Sequence, residues 1–198
     1  MDESGVSLEK GQYRSDIWEK KLTGAIDNLF GLGKQGIYLT GAEEFEITDD
    51  TLKANLEGLL TVNLEYIKAR RDQQGLPAAR FESFSKFLIP SKEPTQLEFD
   101  KAENELEIAL GVVRGERSDY EHLSKIVGGW GGSLTQQALT EKNERIKDAP
   151  NVGFWGLGGK DPGIVRDTEN HFKSLSQRIE SVTGRVMELA PVWARKEV

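Results

Sequence analysis

Between Val165 and Trp193, the positions Val165, Thr168, Phe172, Leu175, Ile179, Val182, Val186, Leu189 and Trp193 recur at alternating spacings of three and four. That spacing draws one stripe along a helix of nearly thirty residues, and a stripe of this width must be covered by other helices. The neighbouring positions His171, Ser176, Arg178, Thr183, Arg185 and Ala190 lack the alternating charges of a specified two-stranded coil, and Gly184 and Pro191 interrupt it. The expectation is a helix of a bundle, with an isolated dimeric coil second.

Further helices read from the same kind of pattern. Ile17, Trp18, Leu22, Ala25, Ile26, Leu29 and Phe30 form a stripe that Ser15 or Asp16 could cap and that Gly31 and Gly33 stop. Leu52, Leu56, Leu59, Leu60, Asn63, Leu64 and Ile67 form a second, capped by Asp49 or Asp50 and ending at Gly75, with Gly58 as a costly interior residue. Pro77 opens a third through Phe81, Phe84 and Leu88. Phe99, Ala102, Leu106, Ala109, Leu110 and Val113 define a fourth that closes near Gly115. Ser118 and Glu121 read as a capping box on a short helix closing at Gly128, and Ser133 caps the next, which runs to Pro150.

The fold class is therefore all-α: an irregular bundle of six or seven helices. A small β-hairpin is expected near residues 36–48, where Ile37–Thr40 and Phe45–Thr48 are β-prone around Gly41. Residues 1–14 read as a polar N-terminal arm and 15–198 as the helical domain, with a candidate joint at 90–94 between Pro90 and Pro94.

Composition narrows function mainly by exclusion. The chain has 198 residues and its 37% hydrophobic share is enough for a real core. There is no cysteine, which removes disulfides, thiolate metal sites and a cysteine nucleophile. With 26 basic against 33 acidic side chains the net charge is −7, a poor counter-ion for a phosphate backbone. Lys68, Arg70, Arg71 and Arg80 are the one stretch through which nucleic acid could still be touched. No run reaches the length of a membrane-spanning helix and residues 1–5 lack a signal-peptide profile, so the expected chain is soluble, in cytoplasm or inside an assembled particle.

Chemistry-bearing patterns are thin. Counting back from Gly159-Lys160, a phosphate loop would need glycine where Phe154 stands and a hydroxyl where Asp161 stands. Only two histidines occur, each near an aspartate at helical spacing, Asp119 with His122 and Asp167 with His171; this falls short of a dimetal bundle. The acidic run from Glu43 to Asp50 lacks a calcium-loop pattern, and the one from Glu98 to Glu107 reads as a solvated helix face. No cofactor and no metal are expected.

What stands out is glycine interleaved with large apolar residues in three segments: Leu29–Gly36, Ile126–Gly132 and Asn151–Lys160. Rings on such backbone need cover, from the chain's own bundle or from a partner. The leading expectation is a non-enzymatic structural or assembly subunit, as in a virus or phage particle, that contacts neighbouring copies or a partner. Its contact residues would be Phe30, Leu32, Trp130, Phe154, Trp155 and Leu157. The alternative is a helical enzyme or ligand-binding bundle in which Glu121, His122 and His171 converge.

Overall fold

A computed structural model describes residues 10–32, 47–72 and 95–195. Among these residues the chain forms five α-helices: α1 (Lys10–Phe30), α2 (Asp49–Asp72), α3 (Gln96–Val113), α4 (Tyr120–Asp148) and α5 (Pro162–Trp193). A tight turn that includes Phe154–Gly156 lies between α4 and α5. The all-α class holds for the described residues, which form five helices where six or seven were expected of the chain. No strand occurs among the described residues. Residues 36–46 of the expected hairpin, the expected helix from Pro77 to Leu88 and the joint at 90–94 lie outside them, as do residues 1–9 of the arm. Helix α1 begins at Lys10, five residues before the expected start at Ser15.

Local chemistry fixes most helix ends. At the end of α1, Gly31 adopts φ 62° and the Leu32 amide donates back to the Asp27 carbonyl at 2.9 Å, closing a Schellman turn that only a left-handed residue permits. Gly115 does the same for α3, with φ 74° and the Glu116 amide donating to the Gly111 carbonyl at 2.8 Å. At the start of α2 the cap is Thr48, whose hydroxyl accepts from the Thr51 amide at 3.3 Å, rather than Asp49 or Asp50. Helix α3 opens on a capping box that the pattern reading missed. There the Glu98 amide donates to Thr95 Oγ1 at 3.3 Å and the Thr95 amide to Glu98 Oε2 at 2.7 Å. The box expected at Ser118 and Glu121 is absent. The N-cap is Asp119, one residue later, and its side chain makes no capping bond.

The largest departure is at Gly128–Gly132. Two helices were expected there, and α4 instead runs through without a break. None of these glycines has positive φ. The reason is tertiary. Val127, Trp130 and Leu134 face the core, while Gly128 and Gly131 let α5 approach closely. A Cβ on Gly131 would sit 2.6 Å from Thr183 Oγ1, and one on Gly128 would sit 3.3 Å from Met187 Cε. Burial of large side chains on both flanks outweighs the roughly 1 kcal/mol that each glycine costs a helix.

Helices α1 and α2 form a hairpin in which Asn55 Nδ2 donates to the Asn28 carbonyl at 3.0 Å and Trp18 meets Tyr66 edge-on at 6.2 Å. On its other side α2 meets α3, where Glu57 pairs with Arg114 at 2.7 Å and Lys68 with Glu107 at 3.4 Å. Helices α4 and α5 form the second hairpin. Its α5 limb reaches the end of α1 and the start of α2: Arg178 Nη1 donates to the Gly31 carbonyl at 2.7 Å, and Arg185 makes a two-pronged pair with Asp49 at 2.9 and 2.7 Å. The seam read from the sequence faces this core, with Thr168, Leu175, Ile179, Val182 and Val186 buried and Phe172, Leu189 and Trp193 packed against it.

Candidate interaction site at the hairpin tip

The six residues expected to contact a partner fall into two groups. Phe30, Leu32 and Trp130 lie in this chain's own core, with Trp130 only 1% exposed. Leu32 is drawn in by the Schellman turn, and Trp130 lies on the buried face of continuous α4. Phe154, Trp155 and Leu157 are the reverse: 84%, 84% and 86% exposed, together at the turn between α4 and α5. Leu97, Tyr120, Met187 and Val192 are also exposed, but each stands apart from the others in sequence.

The turn is built to hold these side chains outward. An antiparallel bridge joins Asn151 to Lys160. The Val152 amide donates to the Gly159 carbonyl at 2.8 Å, the Gly158 amide to the Val152 carbonyl at 2.7 Å, and the Asp161 amide to the Pro150 carbonyl at 2.9 Å. Gly153 and Gly158 come so close that a Cβ on Gly153 would lie 2.9 Å from the Gly158 Cα. Trp155 takes the left-handed conformation, φ 58° and ψ 23°, and among the described residues no other non-glycine residue has positive φ. A bulky residue held there costs on the order of 1–3 kcal/mol. Phe154 stacks edge-on against Trp155 with ring centres 5.5 Å apart.

Charges are tied down at the base of the turn. Lys160 Nζ donates to the carbonyls of Lys147 and Ala149 at 2.6 and 2.8 Å, so it neutralises the carbonyl end of α4. Asp161 Oδ1 accepts from the amides of Gly163 and Ile164 at 2.8 and 3.3 Å and caps α5, with Pro162 in its first turn. Lys160 is thus engaged as a helix cap, and the Gly158-Gly159-Lys160 segment is no phosphate loop. Sequence reasoning weighed Lys160 only against that motif. The signal for its real role was the Lys-Asp-Pro order at the junction of two helices.

The tip also stands beyond the main core. After Ala138 no further side chain of α4 is buried, and in α5 burial becomes regular only from Leu175 onward. In between, the two helices chiefly cover each other, as where Lys142 Nζ lies 4.9 Å above the Phe172 ring.

The other candidate constellations do not assemble. His122 sits at the start of α4, 3.4 Å from Asp119. His171 lies beside Glu141 and Arg145 near the far end of that helix, and burial together with Arg145 and Arg178 lowers its pKa. From position 122 to 141 a helix rises about 28 Å, so the two histidines share no site. Among the described residues no group of three or more metal-ligating side chains occurs. In the basic stretch, Lys68 pairs with Glu103 and Glu107 of α3 and Arg70 meets the Tyr66 hydroxyl at 3.5 Å. The Arg71 side chain and Arg80 lie outside the described residues. One ionisable group went unnoticed in the sequence. Asp27 is buried on α1, where desolvation raises its pKa from 3.8 to about 6.

No protein-family model, curated protein or solved structure matches this chain.

Proposed function

We propose that this protein is a non-enzymatic structural or assembly subunit that attaches, through Phe154, Trp155 and Leu157, to an apolar surface outside its own chain. The observation that carries this is the exposure of three large apolar side chains on a turn braced to keep them there. A domain with no use for them would gain by folding them down, since burying each is worth roughly 1.5–3 kcal/mol. The bundle serves as body and the α4–α5 hairpin as attachment arm. An assembled complex, such as a virus or phage particle, is the setting such a division of labour fits.

The test is a double variant, Phe154→Ser with Leu157→Ser. Its urea midpoint and helicity should match the parent, because these side chains cover nothing of the bundle. Light scattering over a concentration series then tests self-attachment: the parent mass should climb above 22.1 kDa and the variant should not, if the apolar surface is another copy. A variant destabilised by more than about 2 kcal/mol would mean the side chains are core, and the reading would fail.

A further inference from the structure

We infer that the surface engaged by the tip is a lipid–water interface, into which Phe154, Trp155 and Leu157 insert to a shallow depth. This rests on the reading above and names the partner. Four observations lead to it. The first is shape and size: two rings of roughly 150–250 Å² each, with one leucine, make a patch on the order of 400–600 Å². A stable protein interface takes about 800 Å² from each partner. Because the patch ends a hairpin, flanking surfaces fall away from anything facing it. A fluid interface closes around such a projection without a matching pocket.

The second is the placement of charge. From Ala149 to Gly159 there is no ionisable residue, in a chain of which 30% is charged. The nearest charges are Lys147 and Asp148 on one side and Lys160 and Asp161 on the other. Lys160 and Asp161 are turned back onto helix ends. The rings can therefore leave water without taking a charge with them, which would otherwise oppose insertion.

Third, hydrogen bonds at Val152, Gly158 and Asp161 pair the backbone at the base of the turn, and the Leu157 amide donates to the Phe154 carbonyl at 3.3 Å at its apex; the apex groups left to water limit insertion to the hydrated headgroup depth, where water still reaches them. Fourth, the side chains are of the right kind: Trp is enriched where membrane meets water, with an apolar body and one polar N–H. The opposite charges flanking the turn and the net charge of −7 offer nothing to anionic headgroups, so attraction is to the interface of a zwitterionic bilayer.

The experiment is flotation of the full chain with phosphatidylcholine vesicles, followed by Trp emission, for the parent and for Phe154→Ser with Leu157→Ser. Trp155 is retained as a reporter. The parent should float and shift its emission to the blue. The variant should partition roughly a hundredfold less, as expected for two lost side chains, with unchanged helicity. Replacing a third of the lipid by phosphatidylglycerol should not increase binding. Three results overturn the inference. If the parent stays unbound while its mass rises with concentration and the variant's does not, the surface is a second copy, and the assembly reading survives without the lipid. If binding appears only with anionic lipid and survives the double substitution, basic side chains carry it. If the parent neither floats nor associates, the lipid inference falls whatever the variant does, and if the variant also loses stability both readings fall together.

Discussion

Replacing four helix glycines by alanine should divide them by sign. Gly58 in α2, Gly132 in α4 and Gly184 in α5 are exposed, and a Cβ added to any of them meets nothing within 4 Å. Each substitution should gain about 0.5–1 kcal/mol by lowering the backbone entropy lost on folding. The triple variant should gain roughly 1.5–3 kcal/mol, or about 3–12 °C in Tm for a chain of this size. Gly131 is different, since its Cβ would lie 2.6 Å from Thr183 Oγ1. That oxygen cannot easily swing away, because the side chain is β-branched and its hydroxyl donates to the Ile179 carbonyl at 2.8 Å. Overpacking of about 1–3 kcal/mol outweighs the same entropic gain, so Gly131→Ala should lose up to about 2 kcal/mol. Thr183→Ala removes the clashing atom, and the pair Gly131→Ala with Thr183→Ala should recover at least about 1 kcal/mol relative to additivity. Urea unfolding followed by circular dichroism at 222 nm reads all of these at constant m-value. If Gly132→Ala destabilises, the Gly128–Gly132 segment is not helical. If Gly131→Ala stabilises as much as Gly132→Ala, α4 and α5 do not meet there.

Asp27 predicts a pH dependence. Its folded pKa of about 6 lies above the ordinary 3.8, so its contribution to stability is present below pH 3.8 and is lost as pH rises through 6. The loss amounts to at most about 3 kcal/mol at pH 7. Asp27→Asn should recover most of it and flatten the urea midpoint between pH 4 and 7; parallel curves for parent and variant would refute the assignment. His171 acts in the other direction: with its pKa lowered by burial and by Arg145 and Arg178, its contribution is present above pH 6.5 and is lost on acidification, so His171→Gln should remove an acid-side decline. The Trp130 indole N–H is buried and has no acceptor among the described residues, so Trp130→Phe should cost less than the roughly 3–5 kcal/mol typical of removing a large core ring, while Trp130→Ala should cost that much. Thr95→Ala should lose about 1 kcal/mol through the capping box of α3, seen as a lower urea midpoint.

Periodicity made the helical class legible because a stripe with spacings of three and four can be satisfied in only one way. The seam from Phe172 to Trp193 and the stripes of α2 and α3 face the core as read, as does the α1 stripe from Trp18 on, whereas Ile17 and Val165 are half-buried at the ends of their stripes. Gly31 and Gly115 were legible as stops, since each ends a stripe. The same logic fails at Gly128–Gly132, where low intrinsic propensity reads as a break and packing against α5 overrides it. Nothing local reveals that Gly131 lies against Thr183, fifty-two positions away. Caps were legible only in part, because Thr48 competes with Asp49 and Asp50, and Ser118 with Asp119, within one or two residues. The contact residues divided for the same reason. Sequence shows that Trp130 and Trp155 each stand among glycines, but helix phase decides which is buried. Trp130 keeps the phase of Val127 and Leu134, whereas Trp155 follows the end of α4 and has no stripe to join.

That difference bears on why the tip has its present form. A glycine at position 155 would relieve the left-handed strain, and serines at 154 and 157 would remove the cost of wetting apolar surface. Either change leaves the Asn151–Lys160 bridge and the two helix caps intact, since neither uses these side chains. Apart from the edge-on contact between Phe154 and Trp155, the described bundle takes no packing from these three side chains, and the left-handed backbone at Trp155 works against it. A feature that lowers stability yet is held in place by hydrogen bonds on both sides is what the proposed attachment outside the chain would account for. It follows that Trp155→Gly should stabilise the isolated protein by about 1 kcal/mol or more in urea, beyond the entropic cost of glycine, while weakening attachment. Stability and attachment moving in opposite directions would identify the strain as serving the interaction; a loss of both would place Trp155 among the residues that hold the turn together.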